Sequence, residues 1–355
     1  MFKAAIIGCG TIGKLHAKAY RDAKEIQLAA VVDEAQDRSA ALGGEFGVPS
    51  YARLDDVLAR ADIDFIDICT PSGLHADAAI AAARAGKHCL SEKPLDITPQ
   101  RCDEILAAFQ KSGTTLGGVF QHRFADDVRQ TKTAIDAGRF GRITLATCST
   151  PWWRTQEYYD SGAWRGTWKF DGGGALMNQS IHAIDLVVWL AGPIRTLTAR
   201  TALLAHERIE VEDVAVAICE FESGALGVIQ GTTAAYPGSG VRHEIMGADG
   251  MACLVNDQIE LWKLRDEEGA EKPAAAASRH ARPVGAGTGA ASDPKALAGI
   301  LFTRNFDDIA RAARKGTAPC VSGPEAKKSV EVICAIYQSA RTGKPVTLPL
   351  KEFHP

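Results

Sequence analysis

The sequence contains no C-x-x-C pair, although nine cysteines are scattered from Cys9 to Cys334. An odd, unclustered set fits reduced thiols better than a disulfide framework or a structural zinc. There is no H-E-x-x-H and no paired-aspartate loop, so no metal is expected. No apolar run reaches membrane-spanning length, and no basic stretch leads into a long apolar one near Met1. A cytoplasmic protein with no membrane partner is therefore expected. Blocks of like charge are also missing, and the formal net charge is -3, which argues against a nucleic-acid surface. What remains is an ordinary globular composition, 46% hydrophobic and 23% charged. The 355 residues exceed the usual size of one core, so two domains are expected, 1–122 and 123–355.

Lys3 to Gly8 reads as a short apolar strand, Gly8-Cys9-Gly10-Thr11-Ile12-Gly13 follows at once, and Lys14 to Ala23 has helical character. Strand, G-x-G-x-x-G and helix in that order are the context in which the motif holds a dinucleotide. Gly8 permits the tight turn, Gly10 lets the backbone approach a pyrophosphate, and Gly13 allows close helix–strand packing. The helix start, with Thr11 and Ile12, offers N–H groups to the phosphates. A second strand ends in Asp33, 20 residues after Gly13, where a carboxylate bonds the adenosine ribose. It repels a 2′-phosphate, which favours NAD; Arg38 nearby would soften the preference towards NADP.

Two further strand-like runs end in Thr70-Pro71-Ser72, with His75 opening a helix, and in Ser91-Glu92-Lys93-Pro94. In doubly wound sheets ligands gather beyond the carboxyl ends of the strands. Asp33, Thr70, Pro71, His75, Glu92 and Lys93 all fall there. Val119-Phe120 reads as another strand, bringing Gln121, His122 and Arg123 to the same rim. An ammonium is costly to desolvate, so a lysine delivered by a buried strand is a candidate for chemistry. His75 reads equally as a cofactor neighbour and as a helix-start residue.

After Arg123 the strand–helix alternation gives way to a helix near 126–137. Strands without crossover helices follow, at 143–149, 196–203, 214–221, 225–233 and 242–247. This predicts a largely antiparallel sheet. Val214, Val216 and Ile218 share one face, and Ala215, Ala217, Cys219 and Phe221 the other. Both are apolar, so one is expected under helices and one against a second subunit. Residues 266–295 read as a mobile loop or lid, and two helices, 296–314 and 324–342, end the chain.

Behind Gly172-Gly173-Gly174, a helix is expected from Ala175, with Asn178, His182 and Asp185 four and three apart on one face. A polar stripe on a buried helix must find partners or serve a ligand. Four of the six tryptophans, at 152, 153, 164 and 168, cluster with Arg154, Tyr158, Arg165 and Lys169. Such a group suits a polyhydroxylated ligand, held by Trp152, Arg154, Tyr158 and Trp164, or forms an aromatic core cluster.

The glycine loop, Thr70-Pro71 with His75, Glu92-Lys93-Pro94 and Gly172 to Asp185, in this order along nearly the whole chain, resemble the Gfo/Idh/MocA family. The name joins glucose–fructose oxidoreductase, inositol dehydrogenase and rhizopine catabolism. The resemblance implies a Rossmann domain with a doubly wound parallel sheet, then an α/β domain with an open, mostly antiparallel sheet. It also implies homodimers or homotetramers packed through that sheet. The implied activity is NAD(P)-dependent hydride transfer at a carbinol of a sugar, cyclitol or nucleotide sugar, including UDP-hexuronates. A redox-neutral glycoside hydrolase and a non-enzymatic dinucleotide sensor are the rival readings. Carried over residue by residue, Lys93 matches the catalytic lysine and His182 the catalytic histidine, the general base. Arg123 is expected among the substrate ligands, and Arg165 beside substrate or cofactor. Asn178 stands where the family often has aspartate, and Ser180 where it often has glycine. Asn178 can orient His182 or bond a substrate hydroxyl, but cannot take a proton. Asp185 would fix the His182 tautomer or serve as an ion-pair partner.

Overall fold

The computed structural model describes residues 1–267 and 299–353. The expected loop or lid at 266–295 therefore lies, beyond its first two residues, outside the described residues. The chain forms two compact units. The first holds 1–121, 169–172 and 298–330, and the second 122–168, the described part of 173–297, and the chain from 331. The expected boundary at 122/123 is one residue from the first crossing. A single cut is nevertheless too simple, because 298–330 return to the first unit.

In that unit the strands β1 (Phe2–Ile7), β2 (Ile26–Val32), β3 (Ser50–Tyr51), β4 (Phe65–Ile68), β5 (His88–Ser91) and β6 (Leu116–Gly118) lie in the order β3-β2-β1-β4-β5-β6, all parallel. Helices α1 (Thr11–Ala19), α2 (Gln36–Phe46), α3 (Leu54–Leu58), α4 (His75–Arg84) and α5 (Pro99–Ser112) make the crossovers. Ala4, Ala5, Ile6, Phe65, Ile66, Cys89 and Leu90 are fully buried, the near-continuous apolar reading of a sheet covered on both faces. Registers Ile7↔Val32, Ile7↔Ile68, Ile68↔Ser91 and Ser91↔Gly118 align the strand ends. Gly8, Asp33, Thr70, Lys93 and Gln121 consequently follow on one rim. The strand expected at Val119-Phe120 stops at Gly118, and Gln121–Phe124 form a short 3-10 turn.

The second unit contains α6 (Asp126–Asp136), β7 (Ile143–Pro151), α7 (Gln156–Asp160), α8 (Ile181–Ala191), β8 (Ile194–Ala202), β9 (Val214–Phe221), β10 (Leu226–Thr232), β11 (Arg242–Gly247), β12 (Gly250–Val255), β13 (Gln258–Leu264) and β14 (Val346–Thr347). Its sheet runs β13-β12-β11-β7-β10-β9-β8-β14; only β7 and β10 pair in parallel. On β9 the two faces separate: Ala215, Ala217, Cys219 and Phe221 are buried, whereas Val216 and Ile218 are 45% and 63% exposed. α8 packs on β7 and β11 at the covered face.

The last helices are α9 (Gly299–Lys315) and α10 (Gly323–Thr342). α9 belongs to the first unit because the Phe302 and Phe306 rings sit 5.1 and 4.8 Å from that of His16. Its Asp307 accepts the Lys24 and Glu25 N–H groups at 2.9 and 2.8 Å.

Candidate active site

The glycine loop closes as its spacing requires. A Cβ on Gly13 would stand 2.1 Å from the Gly8 carbonyl oxygen, and one on Gly8, at φ +95°, 2.6 Å from that of Cys69. Around Gly10 there is open space, and it precedes α1 with no side-chain cap, leaving the first-turn N–H groups to a ligand. Thr11 is exposed and Ile12 half-buried at this helix start. Asp33 accepts Cys9 N–H at 2.8 Å and Ala35 N–H at 2.9 Å, which fixes its carboxylate beside the loop. Burial, reinforced by Asp33, pushes the Cys9 thiol up to about 12. Arg38 is exposed on α2.

Further along the rim, two buried polar atoms, Thr70 Oγ1 and Gln121 Oε1, have no hydrogen-bond partner among the described residues. Orphaned acceptors next to a phosphate cradle are what a bound dinucleotide satisfies. His75, expected as a cofactor neighbour or a helix start, opens α4 and is buried. Its Nδ1 lies 2.7 Å from the Pro94 carbonyl oxygen and its Nε2 2.9 Å from that of Thr70. It thereby ties the Thr70-Pro71 turn to the Lys93-Pro94 turn. Glu92 is buried, turned from the rim to His16 (2.9 Å), and accepts Lys93 N–H at 2.9 Å. It supports the lysine turn. Lys93 is half-buried.

In the second unit Arg154, Tyr158, Arg165 and Gln179 are linked. Arg154 Nη2 donates to Gln179 Oε1 (2.9 Å), and Gln179 Nε2 to Tyr158 Oη (2.9 Å) and Asn178 Oδ1 (3.2 Å). Arg165 donates to Tyr158 Oη at 2.6 Å and lies 4.3 and 4.5 Å from the Tyr158 and Trp164 ring centres. Arg154 lies 4.8 Å from that of Trp152, and its burial lowers the guanidinium pKa. Arg165 therefore stands with the aromatic group. Gln179, the connector, escaped the sequence reading because it adjoins the stripe without belonging to its spacing.

That spacing is interrupted. Ala175–Ser180 wind as a π-helix before α8 begins, so Asn178 does not continue the face of His182 and Asp185 at α-helical period. Ser180 donates to the Ala175 carbonyl at 2.8 Å and packs on β10, where a Cβ on Gly231 would be 2.2 Å from its oxygen. Asp185 takes the ion-pair alternative: Arg123 grips it through Nε (2.8 Å) and Nη2 (2.7 Å). Arg123, expected as a substrate ligand, is 1% exposed in this pair, because a buried guanidinium must be neutralised where it lies. The His182 ring is 4.7 Å from that of His122, whose Nδ1 bonds Asp257. Glu212, another residue the sequence did not reveal, accepts Gly174 N–H (3.0 Å), Leu176 N–H (2.8 Å) and the Tyr337 hydroxyl (3.0 Å) at the start of the π-turn.

A doubly wound parallel sheet that opens on a glycine-rich phosphate loop, in a chain whose second unit carries an arginine–aromatic group and a histidine helix, defines an NAD-dependent oxidoreductase. The chain belongs to the Gfo/Idh/MocA oxidoreductases. Residues 2–119 match the model of the oxidoreductase family with an NAD-binding Rossmann fold, and 128–253 that of the GFO/IDH/MocA C-terminal domain. It is 30% identical to inositol 2-dehydrogenase of Rhizobium meliloti over 76% of this chain and 80% of that protein. With scyllo-inositol 2-dehydrogenase (NAD+) of Bacillus subtilis the identity is 26% over 98% and 97%. The WlbA dehydrogenase of Bordetella pertussis, solved with NADH and UDP-GlcNAcA, superposes with a TM-score of 0.84 and 33% identity over 99% of each chain.

Proposed function

We propose that the chain oxidises or reduces one ring carbinol of a cyclitol, sugar or sugar derivative, with Lys93, His182 and Asn178 as its catalytic residues. The observation that supports this most is a strand-end lysine on the rim of an NAD cradle, in a family whose named relatives include inositol dehydrogenases. NAD, when bound, supplies the hydride acceptor. His182 takes the hydroxyl proton as general base. Lys93 donates a hydrogen bond to the same oxygen and stabilises its alkoxide character as the hydride leaves carbon. Asn178, tethered through Gln179 to Arg154 and Tyr158, holds the substrate hydroxyl or the imidazole.

A nucleotide-sugar acid is the second reading. The whole-length likeness to a dehydrogenase solved with UDP-GlcNAcA favours it, as does the cationic, aromatic character of Arg154, Arg165 and Trp164. NADH absorbance with excess NAD over inositols, pyranoses, glycosides, sugar acids and UDP-sugars separates the two. A sustained signal on inositols or free sugars supports the first, and one confined to UDP-sugar acids the second. Aglycone release without net NADH would mean a redox-neutral hydrolase and overturn both.

The finer setting is also a proposal. The nine cysteines are thiols and not disulfide sulfurs, consistent with a cytoplasmic protein, and no helix among the described residues is long and apolar enough to cross a membrane. Val216, Ile218 and Leu226 lie exposed on the open sheet face, which fits a second copy of this chain in a homodimer or homotetramer.

A further inference from the structure

His16 is wholly buried on α1, the helix that starts at the phosphate loop. Its two ring nitrogens face two different carboxylates. Nδ1 lies 2.9 and 3.0 Å from the Asp67 oxygens, and Nε2 lies 2.9 Å from Glu92 Oε1. Both carboxylates also accept from a further donor: Asp67 Oδ2, which faces His16 Nδ1, from the Tyr20 hydroxyl at 2.9 Å, and Glu92 Oε2 from the backbone N–H of Lys93 at 2.9 Å. A carboxylate only accepts, and a neutral imidazole has one N–H to give. The arrangement is satisfied when the ring donates from both nitrogens.

We infer that His16 is a positioning residue for Lys93, donating one ring N–H to Asp67 and the other to Glu92, so that Glu92 holds the Lys93 peptide N–H and sets the angle at which the lysine leaves its strand. Phe302 and Phe306 pack on the ring and leave it little freedom. Burial alone would lower the His16 pKa, but the Asp67 carboxylate outweighs it and holds the ring well above its ordinary value. Burial likewise raises Glu92, and the bond and charge of His16 bring it below the usual carboxylate range. His16, Asp67 and Cys69 donor atoms lie within 4.8 Å of one another, a set that invites a metal reading. Burial, however, keeps the Cys69 thiol strongly protonated, and its sulfur, 3.2 Å from His16 Nδ1, shares that nitrogen with the nearer Asp67 oxygens. A buried charge triad of this kind is a poor source of stability compared with apolar packing; what it provides is fixed geometry between the phosphate-loop helix and the lysine turn.

The inference rests on Lys93 being catalytic, and the experiment separates the two claims. kcat is measured for wild type, His16→Leu, Glu92→Gln, the double variant and Lys93→Met. The sugar or cyclitol giving the highest NADH rate serves as substrate, with the NAD dissociation constant measured by fluorescence. Hydrogen exchange at the Lys93 amide is followed without substrate. Each single variant is expected to lose about tenfold or more in kcat and to speed that exchange, with the NAD constant nearly unchanged. The double variant should be no worse than the worse single, because both break one chain of contacts. His16→Gln, which keeps one donor, should recover part of the loss, and it keeps the test open if His16→Leu fails to fold. Additive losses, or wild-type kcat in the His16 and Glu92 variants while Lys93→Met is inactive, would overturn the clamp alone. Activity in Lys93→Met would instead overturn the catalytic reading of the lysine.

Discussion

At the scale of single residues, the chemistry proposed rests on two groups of different legibility. Lys93 was visible because its cue is local: a strand, a Glu-Lys-Pro turn, and a glycine loop upstream. The glycines, Asp33 and Thr70 shared that advantage, and aligned strand ends bring them to one rim. His16 was invisible because its partners, Asp67 and Glu92, are 51 and 76 residues away. Arg123 misled for the same reason, and the choice between the two roles of Asp185 stayed open, since two charged residues 62 apart gave no sign that they satisfy each other in the interior. His182→Ala and Lys93→Met should each lower kcat by about 10²-fold or more, the range of a positioned acid–base group, without loss of NAD binding. Steady-state kinetics beside an NAD titration check this; near-normal kcat in either variant removes that residue from the mechanism.

Among elements, the segment carrying Asn178 and His182 is the most instructive. Its apolar flanks announced a buried helix, and α8 is one, but nothing in the period revealed the π-turn over Ala175–Ser180. The turn depends on Glu212, which gathers two backbone N–H groups and the Tyr337 hydroxyl from distant parts of the chain. The strands β12 and β13 were also missed, although Asn256-Asp257, at φ 47° and 64°, is the turn chemistry that marks a tight hairpin. Burial raises the Glu212 carboxyl from 4.5 to about 7, against the pull of its three donors. The sign follows from linkage. Between those values the unfolded chain has released this proton and the folded chain retains it, so the contribution of Glu212 to stability is full below 4.5 and falls as pH rises to about 7. Glu212→Gln puts an amide donor against backbone N–H groups and should destabilise by about 1–3 kcal/mol. In denaturant titrations the gap between wild type and this variant should narrow as pH rises through that window; a gap that widens contradicts the assignment.

For the whole molecule, the order of strands and helices conveyed both sheets, while the return of 298–330 to the first unit did not show in the sequence. That return is long-range packing of Phe302 and Phe306 on His16, with Asp307 on the Lys24 and Glu25 backbone. The open face of the second sheet was legible as alternation on β9, and it carries an apolar row at Ile218, Val216 and Leu226. Register sets Ile218 opposite Val228, so a charge introduced there stands in the middle of that row. Ile218→Asp should reduce the mass measured by light scattering from oligomer to monomer while leaving the fold intact by circular dichroism. A wild-type monomer at micromolar concentration would dismiss the second copy as the occupant of this face.

The central claim is that Lys93 serves hydride transfer from a ring carbinol to NAD. A single-turnover experiment tests it most directly, with enzyme and NAD in excess over the best sugar or cyclitol and absorbance followed for wild type and Lys93→Met. One NADH per substrate consumed, with the phase slowed at least about 10²-fold in the variant at unchanged NAD affinity, is the predicted result. NADH that forms and disappears with no net yield, or an equal phase in the variant, would contradict it.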